Sequence, residues 1–287
     1  MNSVLPIAAI ALLAARDRPV VYHAHGLIEE ELPAYLPPAA GGLAGRAGAA
    51  ADRTLPGRAR ATIVLTPPAR DALVARGAAP PRVHVIPPGI DVPAVDRGAV
   101  GALRARLAPN GEALVAYAGN ADAYQGIGTL LDAAAQLEAG RPARFVFALT
   151  GGARTLPRDA GARGIADRAV FLDAGWEETA LLLAACDAAV IPRPGPYGFP
   201  VKLLNALALG APVIVHRASA HGLVDGETAL LAGDAREFAR AIAFAIDDAP
   251  RARAIGEAGR MHVRKHHGWE DIAPRIEAVL AEAASPG

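Results

Sequence analysis

Short apolar runs alternate with amphipathic stretches along almost the whole chain, and that alternation predicts strands and helices in turn. Val20–Ala24, Ala61–Leu65 and Val83–Ile86 have strand length and strand composition. Leu36–Ala51 and Pro67–Arg76 between them read as helical, the first being rich in Ala and Gly. Within it, Gly41–Gly48 is low in complexity and is expected to form a mobile loop leading into the helix. Pro87–Pro93 then breaks the pattern, because three prolines and a glycine can continue neither a helix nor a central strand. A helix from Arg97 to Leu107 opens a second series. Its strands are expected at Ala113–Ala118, Arg144–Leu149, Ala169–Leu172, Ala188–Ile191 and Pro212–Val215. Its helices are Ile127–Ala139, Ala153–Gly164, Glu177–Ala185 and Val201–Leu209, and the tail is helical at Ala235–Asp247, Pro250–His266 and Trp269–Ala284.

Strand–helix alternation of this kind implies an α/β fold with parallel sheets covered on both faces. The linker divides the chain into an N-terminal domain, residues 1–93, and a C-terminal domain, residues 94–268. The helix at 269–287 is the last element. The C-terminal series is a full doubly wound set, whereas the N-terminal one offers about three strands and is expected to be incomplete. Such a truncation would leave an exposed sheet edge. Met1–Ala15 is apolar but lacks a positively charged start, so a buried helix is expected there rather than a secretion signal.

Composition narrows the function classes. The 287 residues are 52% hydrophobic and 20% charged, as in a globular protein, and Lys+Arg equals Asp+Glu at 29 each. No basic excess points to nucleic acid. The one cysteine, Cys186, follows an apolar run and reads as a buried structural thiol. No Asp-x-Asp pair and no Cys/His cluster has metal-ligand spacing, and His266-His267 reads as a solvated helix C-terminal cap.

Chemistry is densest from Gly198 to Val213: a Gly-led turn, an apolar helix, a Gly stop at Gly210 and a buried strand. A helix that starts in a loop at the edge of such a sheet aims its first amides at the ligand crevice and favours an anion. Three other segments accompany it in order: Val20–Gly26, Val85–Val92 and Tyr117–Ile127. Together the four segments resemble the family-four glycosyltransferases. The resemblance covers nearly the whole chain, and within the family it is to a subgroup with Tyr124-Gln125-Gly126 and Gly-Phe-Pro-x-Lys-Leu-Leu-Asn motifs.

The resemblance implies the GT-B architecture, two facing Rossmann-like domains, with the final helix crossing back to the first. It implies transfer of a sugar from a nucleotide-sugar, with retention, and with neither metal nor cofactor. His25 matches the second His of the family's His-x-His segment, which contacts the donor sugar; the open alternative is a strand-end His satisfied by backbone. His23 is expected to face the opposite way and to be structural. Gly119, Asn120, Gln125 and Gly126 fall on the loop beneath the donor diphosphate. The family has Arg at Asn120 and Lys at Gln125, so two cations that would neutralise the leaving group are absent. Tyr197 and Asn205 stand where the family has a Glu-x7-Glu pair for sugar and ribose. Gly198, Phe199, Pro200, Lys202 and Leu203 complete the motif. Lys202 lies in a helix first turn, a poor place for a cation unless an anion is bound. Two readings stay open: it replaces lost phosphate charge, or it snorkels to solvent. Gly151-Gly152 offers a backbone approach, with Arg193, Arg217 and Ser219 as weaker candidates.

The leading expectation is therefore a glycosyltransferase acting from a nucleotide-sugar on a glycan, lipid-linked or small-molecule acceptor. The family's acceptor loop, a Gly-rich turn after its first strand, would lie before Met1. The alternatives are a sugar-nucleotide-binding subunit without turnover, a truncated remnant, and a sugar-nucleotide epimerase of the same architecture. The location implied is the cytoplasm or the inner face of the membrane. Peripheral membrane contact occurs in the family, although no basic amphipathic helix demonstrates it here.

Overall fold

The computed structural model describes residues 18–36, 38–138, 140–153 and 155–285. The stretch Met1–Ala15, expected as a helix, lies outside them. Two compact units emerge: Met1–Gly89 with Pro196–Phe199 and His267–Gly287, and Ile90–Gly195 with Pro200–His266.

The first unit holds a parallel sheet in the order β1 (Val21–Ala24), β2 (Ala61–Val64), β3 (Val83–Val85), with Val21 opposite Ala61 and Thr62 opposite Val83. All of β2 is buried, as expected of a central parallel strand. Helices α1 (Ile28–Glu31), α2 (Gly41–Arg58) and α3 (Pro67–Ala75) lie between its strands in the chain. Tyr22, Ala24, Val64 and Val83 pack with Leu55 of α2 and Leu73 of α3 into one core. Thr66 starts α3 by accepting the Ala69 amide on its side chain, followed by two prolines whose missing N–H groups cost nothing at that position.

The Gly41–Gly48 run is helical, not a loop. A Cβ on Gly48 would lie 2.6 Å from the Glu29 Cα and amide, so this glycine serves the close approach of α1 to α2. Short α1, which periodicity missed, has no cap of its own. Asp52 of α2 supplies it: its fully buried carboxylate accepts the amides of Ile28 at 3.1 Å and Glu29 at 3.0 Å. Burial raises the Asp52 pKa, and those two hydrogen bonds oppose the shift.

The second unit is a six-stranded parallel sheet. In chain order it runs α4 (Arg97–Leu107), β4 (Ala113–Gly119), α5 (Ile127–Gln136), β5 (Ala143–Leu149), α6 (Leu156–Gly161) and β6 (Ala169–Asp173). It continues through α7 (Trp176–Ala185), β7 (Ala188–Ile191), α8 (Val201–Ala208), β8 (Val213–His216), β9 (Leu230–Ala232), α9 (Ala235–Asp247) and α10 (Ala249–His266). Spatial order is β6-β5-β4-β7-β8-β9, so direction of winding reverses between β4 and β7. Phe145 and Phe147 of β5, Leu130 and Leu131 of α5, and Phe238 and Ile242 of α9 form the core. Strand β9 was not foreseen.

The last helix, α11 (Trp269–Ala284), lays Ile272 and Val279 on Ala61, Ile63 and Ile86. It thereby covers the second face of the first unit's sheet. His267 just before it is buried, not a solvated cap. Its Nδ1 lies 2.9 Å from the Pro88 carbonyl oxygen, and its ring sits 5.4 Å from that of Phe199. A Cβ on Gly89 would meet the Trp269 ring at 2.7 Å. His266, within the last turn of α10, is exposed.

Candidate functional site

A reversal of winding opens a crevice at the carboxyl ends of the two strands that flank it. Here those strands are β4 and β7, and the loops after them lead into α5 and α8. Two glycines shape the first loop. Gly119 has φ +140°, and a Cβ there would lie 2.6 Å from Lys202 Nζ. Gly126 has φ +72°, and a Cβ there would lie 2.3 Å from the Pro192 carbonyl oxygen. Neither position accepts another residue without displacement.

Lys202, in the first turn of α8, extends into the space Gly119 leaves. Its Nζ donates to Gln125 Oε1 at 2.6 Å and to Tyr117 Oη at 2.9 Å, and lies 4.5 Å from the Tyr117 ring centroid. Tyr117 in turn donates its hydroxyl proton to the Asn120 carbonyl oxygen at 2.7 Å. Asn120 Nδ2 donates to Asp122 at 2.8 Å, while its buried Oδ1 has no partner among the described residues. Burial of the amine, helped by nearby Arg193 and opposed by Asp122, brings the Lys202 pKa down to about 7. Snorkelling to solvent, one of the two readings left open above, is not what the side chain does.

Thus Gly119, Asn120, Gln125, Gly126 and Lys202 come together, as their places in the motifs suggested. Tyr117 is the member that the sequence reading missed. Its signal was a single hydroxyl in the otherwise apolar strand Ala113–Gly119. Gly151 and Gly152 follow β5 with φ +85° and +82° and open space where a Cβ would point. Asn205 is half-exposed, with no side-chain hydrogen bond among the described residues. Leu203 is buried in the core face of α8, and its amide donates to the Pro200 carbonyl oxygen at 2.8 Å.

The weaker candidates have structural work. Ser219 is buried with its Oγ 2.7 Å from the Arg193 carbonyl oxygen and 2.8 Å from that of Gly195, and its one proton is shared between them, holding the loop after β7. Arg217 pairs with Glu237 at 2.8 Å. Arg193 lies 5.3 Å above the Tyr124 ring. Cys186 donates to the Leu183 carbonyl oxygen, and burial pushes its thiol up to about 12, so it stays protonated and inert.

The stretch ahead of α8 belongs with the first unit. Tyr197 is packed against the Tyr22–Leu73 core, and its carbonyl oxygen accepts from Thr66 Oγ1 at 3.1 Å. Gly198 and Phe199 are buried, Phe199 against His267 as described, and Pro200 is buried where α8 begins. In the same unit His25 is exposed just beyond β1. His23 does not face the opposite way: the two rings lie 4.6 Å apart, because a strand period of two puts i and i+2 on one face. His23 has its pKa lowered by burial first and by His25 second.

Residues 112–248 match the family model for glycosyl transferases group 1, and residues 2–93 match the model for glycosyltransferase family 4. The D-inositol 3-phosphate glycosyltransferase 1 of Catenulispora acidiphila is 29% identical over 306 residues, covering 97% of this chain and 70% of that protein. The MMP alpha-(1->4)-mannosyltransferase of Mycolicibacterium hassiacum is 28% identical over 224 residues, covering 75% of this chain and 52% of that protein. The chain thus spans about half the length of several curated relatives it matches. Anabaena HepE, solved with UDP and glucose, is similar in fold, with a TM-score of 0.81 at 22% identity over 97% of this chain and 75% of that one. Among the described residues no helix is long and apolar enough to cross a membrane.

Proposed function

The chain belongs to the family-four glycosyltransferases, whose models match it on both sides of the linker, and from that premise we propose that it moves a sugar from a nucleotide-sugar donor to an acceptor. Retention at the anomeric carbon, and independence of metal and cofactor, are part of the proposal. The observation that carries it is Lys202, a buried amine in the first turn of α8 at the sheet's switch point, whose hydrogen-bond partners among the described residues are the uncharged Gln125 and Tyr117. A diphosphate placed there meets Lys202 and the loop Gly119–Gly126, in place of the family's Arg and Lys. Asn205 is proposed to bond the ribose, Gly152 to let the donor approach backbone, and His25 to hydrogen-bond the donor sugar. The cytoplasm, with or without contact at the inner membrane face, is the proposed location.

HepE was solved with UDP and glucose, which makes UDP-glucose the first donor to test. The relatives' names make D-inositol 3-phosphate the first acceptor. The full chain is incubated with UDP-glucose, UDP-N-acetylglucosamine or GDP-mannose, with and without that acceptor, and products are followed by mass spectrometry. Transfer, or slow donor hydrolysis, supports the reading.

One observation favours a second reading, a sugar-nucleotide-binding subunit without turnover. Tyr197, which replaces a carboxylate, is packed against the first unit's core. Nucleotide-sugar binding without turnover of any donor would establish that alternative, and absence of binding would remove both.

A further inference from the structure

An amine taken out of water needs its hydrogen bonds supplied, and a charged one needs an anion as well. Around Lys202 the described site supplies two acceptors only, Gln125 Oε1 and Tyr117 Oη. The Tyr117 hydroxyl proton is already committed to Asn120, so this phenol accepts. A neutral amine has two N–H groups and is fully used by that pair; an ammonium has three and is left with one over. Asp122 accepts a hydrogen bond from Asn120. The charged and titratable groups that act on the amine are Arg193 from the loop after β7, Asp122 from the loop after β4, and Tyr117 of β4, itself influenced by Tyr124. Arg193 repels a second cation, and Asp122 compensates only in part. The amine packs directly against Gly119, where a methyl would stand 2.6 Å from Nζ.

We propose that the empty site keeps Lys202 largely as the neutral amine above neutral pH, and that an entering nucleoside diphosphate draws a proton from solvent onto Nζ, so that donor binding and proton uptake are one event. The third N–H then forms on a phosphate oxygen, and no bond to carbon or phosphorus changes. The inference rests on the donor-site reading above. The lowered basicity of the amine agrees with the geometry, because its ordinary pKa of 10.5 would leave it charged at every physiological pH. With the empty-site value near 7, an anion that restores the ordinary value takes up about nine-tenths of a proton at pH 8. Affinity for the diphosphate then falls by close to tenfold per pH unit above neutrality.

Calorimetric titration of the full chain with UDP, and with GDP in parallel, tests this at pH 8 in HEPES and in Tris, which differ in ionisation heat. The diphosphate is itself fully ionised at that pH. The expected result is a binding heat that differs between buffers by close to one proton per nucleotide, and a Lys202→Met variant in which the difference disappears. Binding with the same heat in both buffers overturns the proposal and leaves the donor-site reading standing. Uptake that persists in Lys202→Met also overturns it, since the proton then goes elsewhere. Failure of both nucleotides to bind wild type overturns the donor-site reading and this inference with it. The wild-type comparison needs no variant, so the test survives a misfolded Lys202→Met.

Discussion

Lys202 and Gly119 illustrate how one residue defines the space of another. Gly119 combines a left-handed φ of +140° with a Cβ position already taken by Lys202 Nζ. Gly119→Ala therefore strains the backbone, by about 1–3 kcal/mol, and displaces the amine. The expected outcome is UDP affinity reduced roughly tenfold or more, because charge-assisted hydrogen bonds contribute about 1.5–3 kcal/mol, together with a lower Tm. Titration with UDP and thermal melting check the two effects. Lys202 itself is expected to destabilise the empty protein. Its folded-state pKa is about 7 against 10.5, so between those values the unfolded chain binds the extra proton and stability rises with pH. Lys202→Met should accordingly stabilise the empty protein by a few kcal/mol at pH 6, and the gain should fade as pH approaches 10.5. Urea unfolding at several pH values reads this directly. A variant that is more stable at every low pH yet binds UDP more weakly would mark Lys202 as retained for its ligand.

At the scale of elements, glycines on one helix have opposite meanings. Gly45 of α2 has only ordinary contacts at its Cβ position, at 3.9 Å, whereas Gly48 abuts the Glu29 backbone. Gly45→Ala is expected to stabilise by about 0.5–1 kcal/mol through helix propensity. Gly48→Ala should destabilise by about 1–3 kcal/mol, because the neighbour that must move is backbone. Opposite signs in denaturant unfolding confirm helix through the Gly-rich run; equal, near-zero effects would contradict it. Asp52→Ala tests the remote cap in the same element pair. It leaves the Ile28 and Glu29 amides without their acceptor, at a cost of about 1–3 kcal/mol. Three other helix starts have ordinary local caps, since the side chains of Thr66, Asp96 and Asp234 each accept the amide three residues on. Asp52 is not a local cap, because it lies 24 residues from Ile28 and only packing brings the two together.

Across the whole molecule, the last helix completes the first unit's sheet, since Ile272 and Val279 of α11 cluster with Ala61 and Ile63 of β2 and with Ile86 just after β3, more than 180 residues upstream in sequence. Ile272→Ala should cost about 2–5 kcal/mol and raise hydrogen exchange in β2 and β3 as well as in α11. Unchanged exchange in the strands would show that α11 is dispensable to that core. By itself, the sequence determined the α/β class, the parallel alternation, most element bounds, and the motif residues Gly119, Asn120, Gln125, Gly126 and Lys202. Those signals are local, because propensity, capping and period act within a turn or a strand. Only the tertiary structure decided that Lys202 is tied to Gln125 and Tyr117, that Tyr197 packs with the first unit's core, and that His267 is buried on Pro88. The reason is burial: what an amine, a phenol or an imidazole does depends on which distant atoms exclude water from it. That His23 stands beside His25 was already in the strand period.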